Sequence, residues 1–154
     1  MKRNRKTTLM MVLLVSSAIL LGGCGGGGSG KRLTKEQFVS KANALCAAFN
    51  KQVKAIPAPK TDAEALTSLD KLLPLDRKLI ADVKKLKPPV NEEATVKRVV
   101  TLGEEQAVRV KDLIAAVKAK DKPKLNTIIS AGDKNDKESK ALFKQLGLTE
   151  CQKN

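Results

Sequence analysis

The chain predicts an all-α fold, an antiparallel up-down-up-down four-helix bundle with one disulfide, and three observations lead there. Apolar residues recur every three or four positions through four stretches, the period of an amphipathic helix. Each stretch is bounded by prolines, capping residues or a charged turn, and no strand-like alternation competes. The connections between stretches are short, which makes consecutive helices antiparallel neighbours.

The first helix has unusually complete start signals. Thr34 is placed as N-cap, Gln37 three residues on as its capping-box partner, and Leu33 to staple onto Phe38. Phe38, Ala42, Leu45, Cys46, Phe49, Val53 and Ile56 then form one apolar face, and Pro57 and Pro59 stop the helix. The second opens at Thr61 with Glu64 at the capping-box position and turns Leu66, Leu69, Leu72, Leu73, Leu79, Ile80, Val83 and Leu86 inward. Pro74 removes a backbone donor inside this pattern, so a kink or a break is expected. Pro88-Pro89 ends the helix.

The third helix is expected from about Asn91 to Ala119, with Val96, Val99, Val100, Gly103, Ala107, Val110, Leu113, Ile114 and Val117 inward. Glu93 with Lys97 and Glu105 with Arg109 have i,i+4 spacing on its wet face. Gly103 and Ala107 leave room for a neighbouring backbone. The fourth helix begins near Asp121 and carries Leu125, Ile128, Ile129, Leu142, Phe143 and Leu146. Its middle, 132–136, has no apolar side chain and is its weakest part. Gly147 suits the C′ position, with Leu148 set for the apolar contact of a Schellman end.

Upstream of the bundle lies a different kind of segment. Lys2, Arg3, Arg5 and Lys6 precede an apolar run from Leu9 to Leu21, a pattern that reads as a secretory signal and is too short to span a bilayer. Leu21-Gly22-Gly23-Cys24 resembles the lipobox of bacterial lipoproteins. The resemblance implies cleavage before Cys24 and diacylglycerol on its sulfur, an attachment that holds a protein to a membrane for long periods. The expected organisation is a lipoprotein signal peptide at 1–23, a lipidated Cys24 and glycine-rich tether at 24–32, and the bundle at 33–154. The expected location is extracytoplasmic, at the cell membrane.

Cleavage leaves 131 of the 154 residues, enough for one core. Lys+Arg number 30 against 16 Asp+Glu, and the leader holds four of the basic residues, so the mature part carries +10 before its termini. That charge favours anionic lipid, wall polymers or nucleic acid. Nucleic acid is set aside as a partner: an exported chain rarely meets it, and with no Trp or Tyr and only three Phe the base-stacking surfaces are missing. With Cys24 lipidated, Cys46 and Cys151 remain as an even pair in a compartment that tolerates disulfides. They read as one bridge, with two buried thiols as the alternative. Cys46 lies about 18 Å up the first helix, so the tail must fold back at Gly147 and run up beside it.

Candidate chemistry is sparse. The sequence has no histidine, which removes the usual general base, the Ser-His and Cys-His pairs and the Glu-x-x-His ligands of di-metal bundles. Ser68-Leu69-Asp70-Lys71 matches S-x-x-K, but the companion S-D-N and K-T-G motifs are absent. A calcium loop starting at Asp133 fails at Lys137, Glu138 and Lys144. Adjacent Glu92-Glu93 and Glu104-Glu105 point in different directions on a helix. No catalytic residue, metal ligand or cofactor is therefore assigned. Lysines gather at both ends of the bundle: Lys31, Arg32, Lys35, Lys84, Lys85, Lys87, Lys144 and Lys153 at the tether end, and Lys51, Lys54, Lys60, Lys118, Lys120, Lys122 and Lys124 at the far end. Lys118, Lys120, Lys122 and Lys124 are the candidate site for an anionic partner. The plainer reading is that they complement helix dipoles and keep the domain soluble.

Ala42-Asn43-Ala44-Leu45-Cys46 and Gly147-Leu148-Thr149-Glu150-Cys151 together resemble a family of small exported proteins and lipoproteins of actinobacteria. That family pairs an Ala-x-Ala-aliphatic-Cys helix with a terminal Gly-Leu-x-x-Cys. The resemblance covers the two ends of the mature chain, its motifs are structural, and it implies fold and disulfide but no activity. Leu146 departs from it, standing where an aromatic residue often precedes the Gly-Leu.

The functional expectation is a membrane-anchored, non-enzymatic binding module of the cell envelope, acting on an anionic envelope component or a protein partner. Two alternatives stand beside it: a structural spacer, and a carrier of a small apolar ligand in the bundle core, which a large contiguous apolar cavity would favour. The anchoring expectation has a direct test. Cys24→Ala should release the protein from the membrane or leave it as unprocessed precursor; a variant that stays membrane-bound and fully processed would rule out the lipobox.

Overall fold

The computed structural model of the chain describes residues 31–153. The leader, Cys24 and most of the tether lie outside the described residues. Within them are four helices and no strand: α1 (Lys35–Lys54), α2 (Asp62–Lys85), α3 (Glu93–Ala119) and α4 (Lys122–Leu146). Single 3-10 turns lie at Val90–Glu92, before α3, and at Glu150–Gln152, in the tail.

The helices run up-down-up-down. At one end the Leu33 N–H donates to the Lys87 carbonyl at 2.8 Å and Arg32 pairs with Glu93 at 2.7 Å, which brings together the start of α1, the end of α2 and the start of α3. Asn135 on α4 donates to the Leu102 carbonyl on α3, giving the register of the last pair. Each helix packs on its neighbour in sequence, but α1 and α4 have almost no direct contact, and the tail stands between them.

The start of α1 follows its local code. Thr34 Oγ accepts from the Gln37 N–H at 3.3 Å while Gln37 Oε1 accepts from the Thr34 N–H at 3.0 Å, a reciprocal box that satisfies two donors. Leu33 packs into the cluster around Phe38. At α2 only half of that box forms: Thr61 accepts from the Glu64 N–H, but Glu64 reaches past Thr61 to the Lys60 N–H at 2.7 Å. Asp121 caps α4 by accepting from the Lys124 N–H. At the far end of α4 the Leu148 N–H donates to the Phe143 carbonyl and the Gly147 N–H to that of Lys144, the Schellman pair, with Gly147 at φ 75°.

Several expectations need correction. Of the kink or break expected at Pro74, the break is absent: α2 is continuous through it, and Pro74 stands on the exposed side where water can satisfy the carbonyl it leaves unpaired. α4 is one helix through its weak middle, as expected. Asn91 lies in a 3-10 turn and the third helix begins at Glu93. Neither expected i,i+4 pair forms on α3: Glu93 goes to Arg32 and Glu105 to Arg98 at 3.3 Å, while Arg109 donates to Gln106. Partners brought in by the fold outcompete neighbours worth only tenths of a kcal/mol. Gly103 faces a side chain rather than a backbone, since a Cβ there would lie 3.0 Å from Ile80 Cγ1.

The core is densest at the tether end, where Phe38, Ala42, Cys46, Val96, Leu146, Leu148 and Cys151 form one buried cluster. The Cys46–Cys151 bridge is present, with Cα atoms 5.1 Å apart and a sequence separation of 105. The tail folds back as expected, but by a shorter route. Asn43 accepts from the Glu150 N–H at 3.0 Å and donates to the Gly147 carbonyl at 3.4 Å, so α4 ends beside Asn43, part-way up α1. A compact 3-10 turn then reaches Cys46. Cys46→Ala with Cys151→Ala should cost about 4–5 kcal/mol through the freed loop, lowering the urea midpoint by about 1.5 M or more. An unchanged midpoint would show that the bridge does not stabilise the fold.

Candidate functional site

Beside the tail, between α1 and α4, the bundle holds a cavity of about 430 Å³. Leu146, Leu148 and the disulfide line its tail side, and its apolar walls come from α1, α2 and α3, among them Phe38, Phe49, Leu79, Ile80, Val99 and Val100. The fourth wall is different in kind. The inward stripe of α4 runs Ile128, Gly132, Asn135, Ser139, Phe143 and Leu146, so at three successive inward positions the helix offers no apolar side chain. Nothing lies within 4 Å of where a Gly132 Cβ would stand.

The cavity opens to solvent beside the exposed Gln106, Asp133 and Asp136, so water or a ligand can occupy it. Its size falls in the range of about 300–1,000 Å³ usual for small-molecule sites.

Polar groups edge the cavity in defined positions. Asn135 is buried, donates to the Leu102 carbonyl at 3.2 Å and accepts from Ser139 Oγ at 3.3 Å. Asn50 is also buried and donates to the Glu150 carbonyl at 2.8 Å. Gln106 accepts from Arg109 Nε with its amide oxygen, and Asp133 and Asp136 stand on the exposed side, Asp136 paired with Lys140. One guanidinium nitrogen of Arg109 is buried without an acceptor among the described residues. Outside the cavity, Arg98 holds Glu138 through Nε at 2.6 Å and a terminal nitrogen at 2.8 Å, a bidentate clamp that joins α3 to α4 and pushes the Glu138 carboxyl below its usual range.

The second site is the far end of the bundle. Lys118, Lys120, Lys122 and Lys124 come together at the tight α3–α4 turn, where Lys120 takes φ 54° to close the connection. All four are exposed, as are Lys51, Lys54 and Lys60 nearby, and none of the seven ammonium groups has an ion-pair partner among the described residues. The tether end differs. Five of its eight cations are paired: Arg32 with Glu93, Lys35 with Glu92, Lys84 with Glu104, Lys85 with Asp82 and Lys153 with Glu150. The hydrogen bond from Lys35 to the buried Glu92 carboxylate raises the lysine pKa, and the bonds from Lys78 and Lys85 hold Asp82 down at about 2.

No protein-family model, curated protein or solved structure matches the chain. The cavity and the cationic end are thus the basis for a functional reading. Of the residues singled out in the sequence, Cys46 and Cys151 are joined, the four lysines share one surface, and Cys24 lies outside the described residues. A core cavity is expected only under the carrier alternative, without Asn50 or Asn135 assigned to it; the signal for Asn135 is the gap in the apolar stripe of α4, and Asn50 on α1 has none. Among the described residues no helix is long and apolar enough to cross a membrane, and no cluster of His, Cys, Asp or Glu could hold a metal ion.

One titratable group interrupts the inner side of α2. Asp76 lies on the stripe of Leu72, Ile80 and Val83, has no ion pair or hydrogen bond among the described residues, and is pushed up to about 6 by burial. A carboxyl with a raised folded pKa binds more protons folded than unfolded, so between about pH 4 and 6 stability falls as pH rises. Asp76→Asn should therefore stabilise the fold at pH 7 by about 1–2 kcal/mol, less than the full shift because water still reaches the carboxylate. At pH 4 the gain should vanish. Equal denaturation midpoints for the two proteins at pH 7 would show that the carboxylate is not penalised.

Proposed function

We propose that the chain is a membrane-anchored, non-enzymatic binding module of the cell envelope, held by lipid on Cys24, whose far end engages an anionic envelope polymer. The support is the placement of Lys122 and Lys124. Both lie in the first turn of α4, which contains no acidic residue, at the positive pole of the helix dipole. Lys51, Lys54 and Lys118 occupy last turns, where a cation is locally favourable, so helix chemistry accounts for them. It does not account for Lys122 and Lys124, which add like charge to a helix start whose one neighbouring carboxylate, Asp121, caps the backbone, and which have no ion-pair partner among the described residues. A local rule broken on an exposed, unpaired surface is a mark of selection for something outside the fold.

Orientation agrees. The chain enters the bundle beside Leu33, and the length of α3 puts the lysine end about 40 Å away from it. A lipid on Cys24 would hold the tether end near the headgroups and present the far end outward, towards wall polymer. Each lysine close to an anionic surface contributes about 1 kcal/mol, so the cluster gives affinity through number.

Replacing Lys118, Lys120, Lys122 and Lys124 together by Gln should weaken binding to poly(glycerol phosphate) at least tenfold at 0.15 M salt, and 0.5 M salt should do the same to the unaltered protein. Lys122→Glu alone should weaken binding while stabilising the fold by about 0.3–1 kcal/mol, because it corrects the dipole. Binding that is absent, or unchanged in the quadruple variant, would leave a spacer with a solubilising surface.

A further inference from the structure

The cavity between α1 and α4 has a use that the cationic end does not require. We infer that it is a binding site for an uncharged single-chain amphiphile, with the hydrocarbon chain lying along α1, α2 and α3 and a hydroxyl-bearing head at the edge formed by α4 and Gln106. The inference stands on different residues from the polymer-binding surface and survives its failure.

Shape comes first. The residues that line the cavity on α1 run from Phe38 to Asn50, a rise of about 18 Å, so it extends along the helix. A slot of that length suits one extended chain better than a fused-ring molecule. Phe38, Phe49, Leu79, Ile80 and Val99 supply apolar contact along it, and the disulfide and Leu148 line one side of it. A chain can therefore enter from the α4 side and lie against the tail.

Head-group chemistry follows from the edge. Asp133 has no ion pair among the described residues and repels a second carboxylate, which disfavours a fatty-acid head, whereas Asp136 is paired with Lys140. A hydroxyl group can donate to either. Gln106 has spent its amide oxygen on Arg109 and keeps its N–H donors for an ester or hydroxyl oxygen. Both kinds of partner are met by a glycerol ester.

Sequence supports the same site. Gly132 and Asn135 occupy inward helix positions where an aliphatic side chain would fill the core, and the open space at Gly132 would accept one without a clash. Packing alone gains nothing from leaving that space open.

The test uses the purified full chain in nanodiscs of zwitterionic lipid, titrated with 1-decanoylglycerol and with decanoate. Binding is read from the methyl NMR shifts of Leu79, Ile80 and Val99, which separates the cavity from partition into lipid. Saturable shifts with decanoylglycerol, at least tenfold tighter than with decanoate, are expected. Gly132→Leu should weaken that binding at least tenfold while keeping helicity and raising the melting midpoint. Absent shifts, equal or tighter binding of decanoate, or unaltered binding by a folded Gly132→Leu protein would each overturn the inference. Should that variant fail to fold, the comparison of the two ligands on the unaltered protein decides.

Discussion

The short tail after Gly147 sets the geometry on which the rest of the structure depends. It lies between α1 and α4 and is tied to α1 three times: covalently through Cys46–Cys151, through Asn43 to Glu150 and Gly147, and through Asn50 to Glu150. These bonds satisfy backbone groups that would otherwise be buried without partners. A helix pair separated by a segment of chain cannot close ridge into groove. Phe38, Ala42, Leu146 and Leu148 pack around the tail, and the separation it imposes persists beside them as open space that the same residues line.

That arrangement divides the bundle into a well-packed tether end and a less saturated remainder. No residue of α2 is fully buried, and on α4 only Asn135 and Leu146 are. Leu102, Ala107, Val110 and Ala116 make α3 the best-buried helix away from that end, and the Arg98–Glu138 clamp with the Asn135 bond keeps α4 against it despite the missing apolar side chains. α4 is thus held by polar bonds on one side while its inward stripe is left short of hydrocarbon. Asp76 adds an ionisable group on the inner side of α2, where an aliphatic residue would pack better. Natural domains tolerate such features at a cost in stability, and they gather where function constrains the sequence.

Charge is distributed along the same axis. Acidic residues are spent at the tether end and in the middle, where they tie Arg32, Lys35, Lys84 and Arg98 to neighbouring elements. At the far end the few carboxylates are used locally: Asp121 caps α4, and Glu64 accepts from the Lys60 backbone. The basic balance of the whole chain thereby becomes an end-specific field that salt can screen.

Much of the fold was legible because its determinants are local. The Thr34–Gln37 box, the Gly147 terminus and the 3.6-residue period specify helices through interactions within a few residues, and short connections leave little choice of topology. The pairing of Cys46 with Cys151 could be read by elimination, although where α4 ends relative to α1 could not, since it depends on how the tail packs. Pro74 left kink and break both open because its effect depends on which side of the helix meets water, and the salt bridges of α3 were misassigned because spacing names local candidates while tertiary partners win. The lysine cluster was visible as a run in the sequence, but its lack of ion pairs emerged only once every carboxylate had a place. The cavity was the least legible feature. Gly132 and Asn135 read as a weak stretch of helix until three other helices set a wall opposite them, because a void belongs to no single segment and exists only where packed surfaces fail to meet.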